Sequence, residues 1–127
     1  MSGKKIVIFD DEVDMLTVTE TILKSRGFEV ATFDSSKNAI EDIKREKPDL
    51  ILLDINMPHK DGYQVCDEIR CDDEIKHIPV IVFTAQPIEK DLIDKAHHFY
   101  GANDYVIKPF ESDDLVEKIE KNISENE

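Results

Sequence analysis

Three short, uninterrupted apolar runs constrain the fold of this chain more than any other feature of its sequence. They lie at residues 6–9, 50–53 and 80–83. Continuous apolar runs of this length are typical of strands buried on both faces, as in parallel sheets that are covered by helices. Two shorter strand candidates lie at residues 29–33 and 104–107. The sequence therefore predicts five strands, and what separates them decides how they are connected.

Each predicted strand is followed by a segment with apolar residues at helical spacing. These segments begin near residues 15, 39, 65, 88 and 115. Asp11, Ser35 and Ser112 are candidate N-caps of three of the helices. Strand and helix thus alternate five times, which predicts an α/β fold with a parallel sheet and helices on both faces. The 127 residues fit a single domain, with a core at about 4–123 and a short tail at 124–127.

The charge of the chain excludes two classes of partner. There are 16 Lys and Arg residues against 29 Asp and Glu residues, a formal net charge of −13. A chain this acidic lacks the basic surface through which proteins bind nucleic acid or an anionic membrane.

The longest apolar run of the chain has four residues, too few for a transmembrane helix or a signal peptide, so we expect a cytoplasmic protein. The two cysteines form no CxxC pair, and the four histidines lack metal-ligand spacing.

Polar residues stand at the carboxyl ends of four of the five predicted strands. Asp10 and Asp11 end the first strand, Asp54 the third, Thr84 the fourth and Lys108 the fifth. In an open α/β sheet, ligands bind outside the carboxyl ends of the strands. We therefore expect these side chains to meet at one edge of the sheet.

Their combined chemistry points to magnesium and a phosphoryl group. Clustered carboxylates repel one another unless a cation lies among them, and ligand sets made only of oxygen favour Mg²⁺. Lys108 would add positive charge, Thr84 could donate a hydrogen bond, and one carboxylate could be a nucleophile. Taken singly, each residue has an ordinary explanation as an N-cap, turn, strand or solvated loop residue. The combination favours a functional site.

Four motifs surround these residues: Asp10-Asp11-Glu12, residues 54–62 (DINMPHKDG), Thr84-Ala85 and residues 101–110 (GANDYVIKPF). With them, the sequence resembles the receiver domain of two-component response regulators. Their order and spacing are those of the family, and together they cover nearly the whole chain. The resemblance implies a flavodoxin-like (βα)5 fold with strand order 2-1-3-4-5 and the function of a phosphorylation-activated signalling switch.

The resemblance also implies a role for each residue of the site. Asp54 would accept a phosphoryl group from a histidine kinase or a histidine phosphotransfer protein. Asp10 and Asp11 would hold Mg²⁺ together with Asp54 and the backbone carbonyl of Asn56. Thr84 and Lys108 would contact the phosphoryl oxygens and would form the catalytic set together with Asp54.

The conformational signal is also expected from the resemblance. Tyr105 would be the switch aromatic that turns inward when Thr84 moves toward the phosphoryl group; the alternative is an ordinary half-buried strand aromatic. A downstream protein would bind the face formed by the fourth predicted helix, the fifth strand and the fifth predicted helix, at residues 87–99 and 104–120. Output would come from protein contact or onward phosphotransfer.

Other functions remain open at this stage. The chain could be a stand-alone regulator or a receiver domain cut from a longer regulator with an output domain. A Mg²⁺-dependent phosphohydrolase with an aspartyl nucleophile is disfavoured, because the position two residues after Asp54 is Asn56, whose amide cannot act as the general acid. A flavodoxin-like cofactor carrier is disfavoured because only four glycines are available to form a phosphate cradle. We expect the protein to catalyse only its own phosphorylation and autodephosphorylation.

Overall fold

The computed structural model describes residues 3–55, 57, 60–84, 101–107 and 110–126. Within them the chain forms five strands and four helices. In chain order these are β1 (Lys5–Phe9), α1 (Val13–Ser25), β2 (Glu29–Phe33), α2 (Ala39–Glu46), β3 (Leu50–Asp54), α3 (Gly62–Arg70), β4 (Val80–Thr84), β5 (Asp104–Ile107) and α4 (Ser112–Asn126). The predicted helix at 87–99 lies outside the described residues, so α4 is the fifth predicted helix.

All five strands pair in parallel, in the order β2-β1-β3-β4-β5. Both the predicted α/β fold and the predicted strand order are therefore confirmed. The register aligns the carboxyl ends of the central strands: Phe9 pairs with Leu53, Asp54 with Phe83, and Thr84 with Ile107. One edge of the sheet thus collects the residues that end or follow β1, β3, β4 and β5.

Two core clusters, one on each face of the sheet, explain why apolar and polar residues do not alternate along the central strands. Successive side chains of a strand point to opposite faces. Val7, Ile51 and Val82 pack with α2 and α3 on one face. Ile8 and Leu52 pack with α1 and α4 on the other. Each face of β1, β3 and β4 is buried, and an uninterrupted apolar run is the sequence pattern that this burial requires.

The helix starts differ in part from those that the sequence predicts. The N-cap position of α1 is Glu12 and that of α2 is Asn38, and neither makes a side-chain capping bond. The predicted caps Asp11 and Ser35 are therefore wrong: Ser35 instead accepts a bond from the Lys37 amide, inside the turn that precedes α2. α4 has Ser112 as its first residue, and the Leu115 amide donates to the Glu111 carbonyl, so Glu111 and not the predicted Ser112 takes the N-cap position. The helix continues to Asn126, into the segment predicted as a tail.

The described helices are also short and amphipathic. None of those in the described part of the chain has the length and apolar character needed to cross a lipid bilayer.

Candidate functional site

Four carboxylates converge at the carboxyl edge of the sheet. Asp10, Asp11, Glu12 and Asp54 each offer one oxygen, and these oxygens all lie within 4.8 Å of one another. Asp10 is fully buried and Asp54 is 3% exposed, whereas Asp11 and Glu12 are exposed. The cluster thus has a buried half set into the sheet and an open half that faces solvent.

The two buried carboxylates are held by rigid backbone. Asp54 is the last residue of β3, and the next amide, that of Ile55, donates to the Phe83 carbonyl of β4 at 3.2 Å. Asp10 directly follows β1, and its amide donates to the Phe33 carbonyl of β2 at 3.1 Å. Since both strands are fastened to neighbours, the separation between the Asp10 and Asp54 carboxylates is set by the sheet.

The Asp10 side chain also shapes the first turn of the helix that follows. Its Oδ1 accepts a hydrogen bond from the Glu12 amide at 3.0 Å. This bond brings the backbone back toward the sheet directly after β1, so that the neighbouring Asp11 and Glu12 carboxylates join the cluster. Glu12 is a fourth carboxylate of the site that was not predicted from the sequence, although it belongs to the same acidic triplet.

The cluster suits a hard divalent cation. Two like charges about 4.8 Å apart repel by roughly 3 kcal/mol at an effective dielectric constant of 20. Several such pairs in one place make a strongly negative cavity, which a cation would neutralise. Oxygen-only ligands with an open, solvent-facing side fit Mg²⁺, which takes few carboxylates and retains several waters.

The other predicted site residues are placed only in part. Thr84 is the last residue of β4 and its backbone lies at the same edge of the sheet, beside Ile107 of β5. The side chain of Thr84 lies outside the described part of the chain, and so do Asn56 and Lys108.

Tyr105 lies in the middle of β5, where its backbone pairs with Val82. It is half-buried and packs against the core cluster on the α2 and α3 face. The Lys118 ammonium of α4 lies 4.5 Å from the centre of its ring and also donates to the Tyr105 carbonyl. Lys118 lies 3.5 Å from the Asp104 carboxylate as well. Lys118 thus joins α4 to Tyr105 and Asp104 of β5 through polar contacts beside this ring.

Comparison with known protein families decides what this arrangement is. The family model described as the response regulator receiver domain matches residues 6–120, from the second residue of β1 into the second half of α4, and this range includes the whole acidic cluster. The chain belongs to this family.

Solved receiver domains have the same fold as this one over nearly their whole length. A two-component response regulator from Clostridium difficile is 28% identical, with a TM-score of 0.85 over 95% of this chain and 96% of that chain. A CheY-like receiver domain protein from Methanospirillum hungatei is 27% identical, with a TM-score of 0.85 over 97% and 95%. The receiver domain of a sensor histidine kinase from Pseudomonas aeruginosa is 30% identical, with a TM-score of 0.85 over 97% and 99%.

The last of these structures has a magnesium ion coordinated in its active site cleft. Membership of the family confirms the predicted function of this receiver domain as a phosphorylation-dependent switch in two-component signalling. It favours that function over the phosphohydrolase and cofactor-carrier alternatives.

Proposed function

We propose that this receiver domain is phosphorylated on Asp54 and that Asp10, Asp11 and Asp54 hold Mg²⁺. One observation carries the proposal: carboxylates from the ends of β1 and β3 meet within 4.8 Å at the edge of the sheet where α/β folds bind ligands. Magnesium coordinated in the active site cleft of the similar receiver domain from Pseudomonas aeruginosa supports the choice of ion. The backbone carbonyl of Asn56, two residues after Asp54, would be a further ligand.

Asp54 is the best candidate for the nucleophile because it matches the acceptor position of the family and is itself a ladder residue of β3, paired with Phe83 of β4. An Asp54 carboxylate oxygen would form a bond to phosphorus while the bond from phosphorus to a donor histidine nitrogen breaks. The electron pair of that bond stays on the imidazole, which then takes up a proton. When bound, Mg²⁺ would offset the negative charge of the phosphoryl oxygens and of the carboxylates. Thr84 and Lys108, at the ends of β4 and β5, would contact the same oxygens.

The response to phosphorylation would pass along β4 and β5. A phosphoryl group adds a charge of about −1.5 to −2 and three acceptor oxygens, which would draw Thr84 inward. Tyr105 lies in β5, the strand that pairs with β4, and we assign it the role of switch aromatic. The change would be read by a downstream protein at residues 87–99, β5 and α4. A groove of about 580 Å³ between β5 and α4, lined by Tyr105, Phe110 and Lys118 among others, supports this face.

The upstream partner would be a histidine kinase or a histidine phosphotransfer protein. Receiver domains as a class interact with such donors, and the net charge of −13 argues against nucleic acid as a direct partner. Cys66 and Cys71 are both free, which fits a reducing compartment, and we place the domain in the cytoplasm. Its only catalysis would be its own phosphorylation and dephosphorylation.

Substitution of the acceptor tests this function directly. With Mg²⁺ and a small acyl phosphate or phosphoramidate as donor, the native chain should gain one phosphoryl group by intact mass, labile to hydroxylamine. Asp54→Asn should gain none, because an amide lacks the nucleophilic oxygen anion. The matched control is Asp67→Asn, an exposed aspartate of α3, which should label like the native chain. Equal labelling of Asp54→Asn would overturn the assignment.

A further inference from the structure

Ser36 is a buried polar residue for which the proposed chemistry has no role. It lies in the connection between β2 and α2 and is fully buried. Its hydroxyl donates to the backbone carbonyl of Lys60 at 2.7 Å and accepts from the backbone amide of the same residue at 3.2 Å. One side chain thus satisfies both backbone groups of a residue 24 positions away.

Lys60 belongs to the segment that leaves the sheet directly after Asp54. This segment, residues 55–62, runs from the end of β3 to the start of α3. Its two ends are closed on each other, because the Gly62 amide donates to the Ile55 carbonyl at 2.8 Å. The Lys60 ammonium is further paired with Glu68 of α3 at 2.9 Å. These two contacts join residues that are close in sequence. The bonds of Ser36, in contrast, attach the segment to the connection between β2 and α2.

The last residue of the segment, Gly62, packs closely against the backbone of Asp54. A Cβ atom built on Gly62 would lie 2.7 Å from the Asp54 carbonyl oxygen and 2.7 Å from the Ile55 Cα. Such distances are well inside van der Waals contact, so the glycine is needed for the close approach. Because only Asp61 separates Lys60 from Gly62, a shift of the segment at Lys60 is passed to the residues that pack on Asp54.

We infer that Ser36 is a positioning residue of the phosphorylation site. Its hydroxyl holds the segment at Lys60, and the segment in turn fixes the backbone at and after Asp54, where the ligands of the metal site are proposed to lie. Groups that orient metal ligands without touching the ion commonly change metal affinity about 10- to 100-fold when they are removed. This inference rests on the proposed function, since it assumes that Asp54 is both ligand and acceptor.

The first test compares Ser36→Ala with two matched variants. Ser35→Ala removes the neighbouring hydroxyl, which bonds only within its own turn to the Lys37 amide. Thr19→Val removes another fully buried hydroxyl, which bonds to the Met15 carbonyl inside α1. Isothermal titration with MgCl₂ should give a dissociation constant about tenfold higher for Ser36→Ala, and values within twofold of the native chain for both controls.

Labelling kinetics then separate positioning from mere loss of stability. At saturating Mg²⁺, Ser36→Ala should still be phosphorylated by a small phosphodonor more slowly than the native chain, while Thr19→Val, which also loses a buried hydrogen bond, keeps the native rate. Native Mg²⁺ affinity and native rate in Ser36→Ala would overturn the inference and leave the proposed function intact. A native chain that binds no Mg²⁺ or labels equally as Asp54→Asn would instead overturn the proposed function.

A second measurement needs no variant. Coupling between two sites is reciprocal, so if the Ser36 to Lys60 bonds favour Mg²⁺, then Mg²⁺ must favour those bonds. Amide hydrogen exchange of the native chain, followed by NMR, should slow at Lys60 and Gly62 by about tenfold when Mg²⁺ saturates the site. The Lys37 amide, bonded to Ser35, should be unaffected. Unchanged exchange at Lys60 would contradict the inference.

Discussion

Within the acidic cluster, the four carboxylates have unequal surroundings. Asp10 and Asp54 are buried and fastened by backbone bonds at the ends of their strands, whereas Asp11 and Glu12 are exposed. Removing a buried carboxylate changes packing as well as charge. Removing the exposed Asp11 changes little besides charge, so it isolates the electrostatic part of metal binding and of repulsion within the cluster.

Asp11→Asn should therefore act in opposite directions with and without metal. Without Mg²⁺, loss of a like charge should raise the free energy of unfolding by about 0.5 kcal/mol, because water and salt around the exposed Asp11 screen its repulsion far below the value for buried carboxylates at the same distance. With Mg²⁺, loss of a ligand should raise the dissociation constant roughly tenfold or more. Urea unfolding and calorimetric titration measure the two effects. Asp14→Asn, which removes an exposed charge from the first turn of α1, outside the cluster, should keep native affinity. Native affinity in Asp11→Asn as well would remove Asp11 from the metal site.

At the scale of elements, Arg70 links the end of α3 to the strands that carry the proposed switch. Its guanidinium donates to the carbonyls of Lys76, Ile78 and Gly101 at 2.8–2.9 Å and to the Asn103 side chain at 2.6 Å. The same Asn103 oxygen accepts from the first amide of β4. Burial lowers the pKa of Arg70, but a guanidinium remains charged at neutral pH. One side chain therefore ties α3 to the starts of β4 and β5.

Arg70→Ala should destabilise the domain by about 3 kcal/mol, because three carbonyls and one amide oxygen lose a charged donor at once. Urea unfolding followed by circular dichroism gives this value. The matched control is Arg45→Ala in α2, where the same side chain makes exposed ion pairs with Asp42 and Glu46 and its loss should cost much less stability than that of Arg70. Equal losses in the two variants would show that the Arg70 bonds add nothing beyond those of an exposed arginine.

At the scale of the whole molecule, the fold and the edge that carries the site could be predicted because both follow from local patterns. Continuous apolar runs indicate strands buried on both faces, and parallel strands bring their carboxyl ends together. The contacts of Ser36 with Lys60 and of Arg70 with Gly101 could not be predicted. They join residues 24 and 31 positions apart and depend on how the connections pack.

The incorrect N-caps have a similar origin. Asp11 and Ser35 have the residue types that cap helices, but each capping role depends on competition among neighbouring side chains. Asp10 already bonds the Glu12 amide, and Ser35 bonds the Lys37 amide before α2 begins. Residue type alone favours several local bonds equally, and tertiary placement selects one of them.

The net charge and the acidic cluster predict two separable responses of stability to salt. With a net charge of −13, the folded chain repels itself, so NaCl should raise the free energy of unfolding gradually by screening. MgCl₂ at matched ionic strength should add a specific increment that begins near the dissociation constant and then grows with the logarithm of the Mg²⁺ concentration, because a ligand that binds only the folded state stabilises it. At ten times the dissociation constant this increment is about 1.4 kcal/mol. Urea unfolding at several concentrations of each salt distinguishes the two curves.

Asp10→Asn is the variant that assigns the increment specific to MgCl₂ to the cluster. It removes one carboxylate from the buried half, so the response to NaCl should stay close to that of the native chain while the increment specific to MgCl₂ disappears or moves to much higher concentration. If MgCl₂ and NaCl gave the same curve at matched ionic strength, the acidic residues of this chain would affect stability only through the overall net charge. An increment specific to MgCl₂ that survives unchanged in Asp10→Asn would place the magnesium site elsewhere on the molecule.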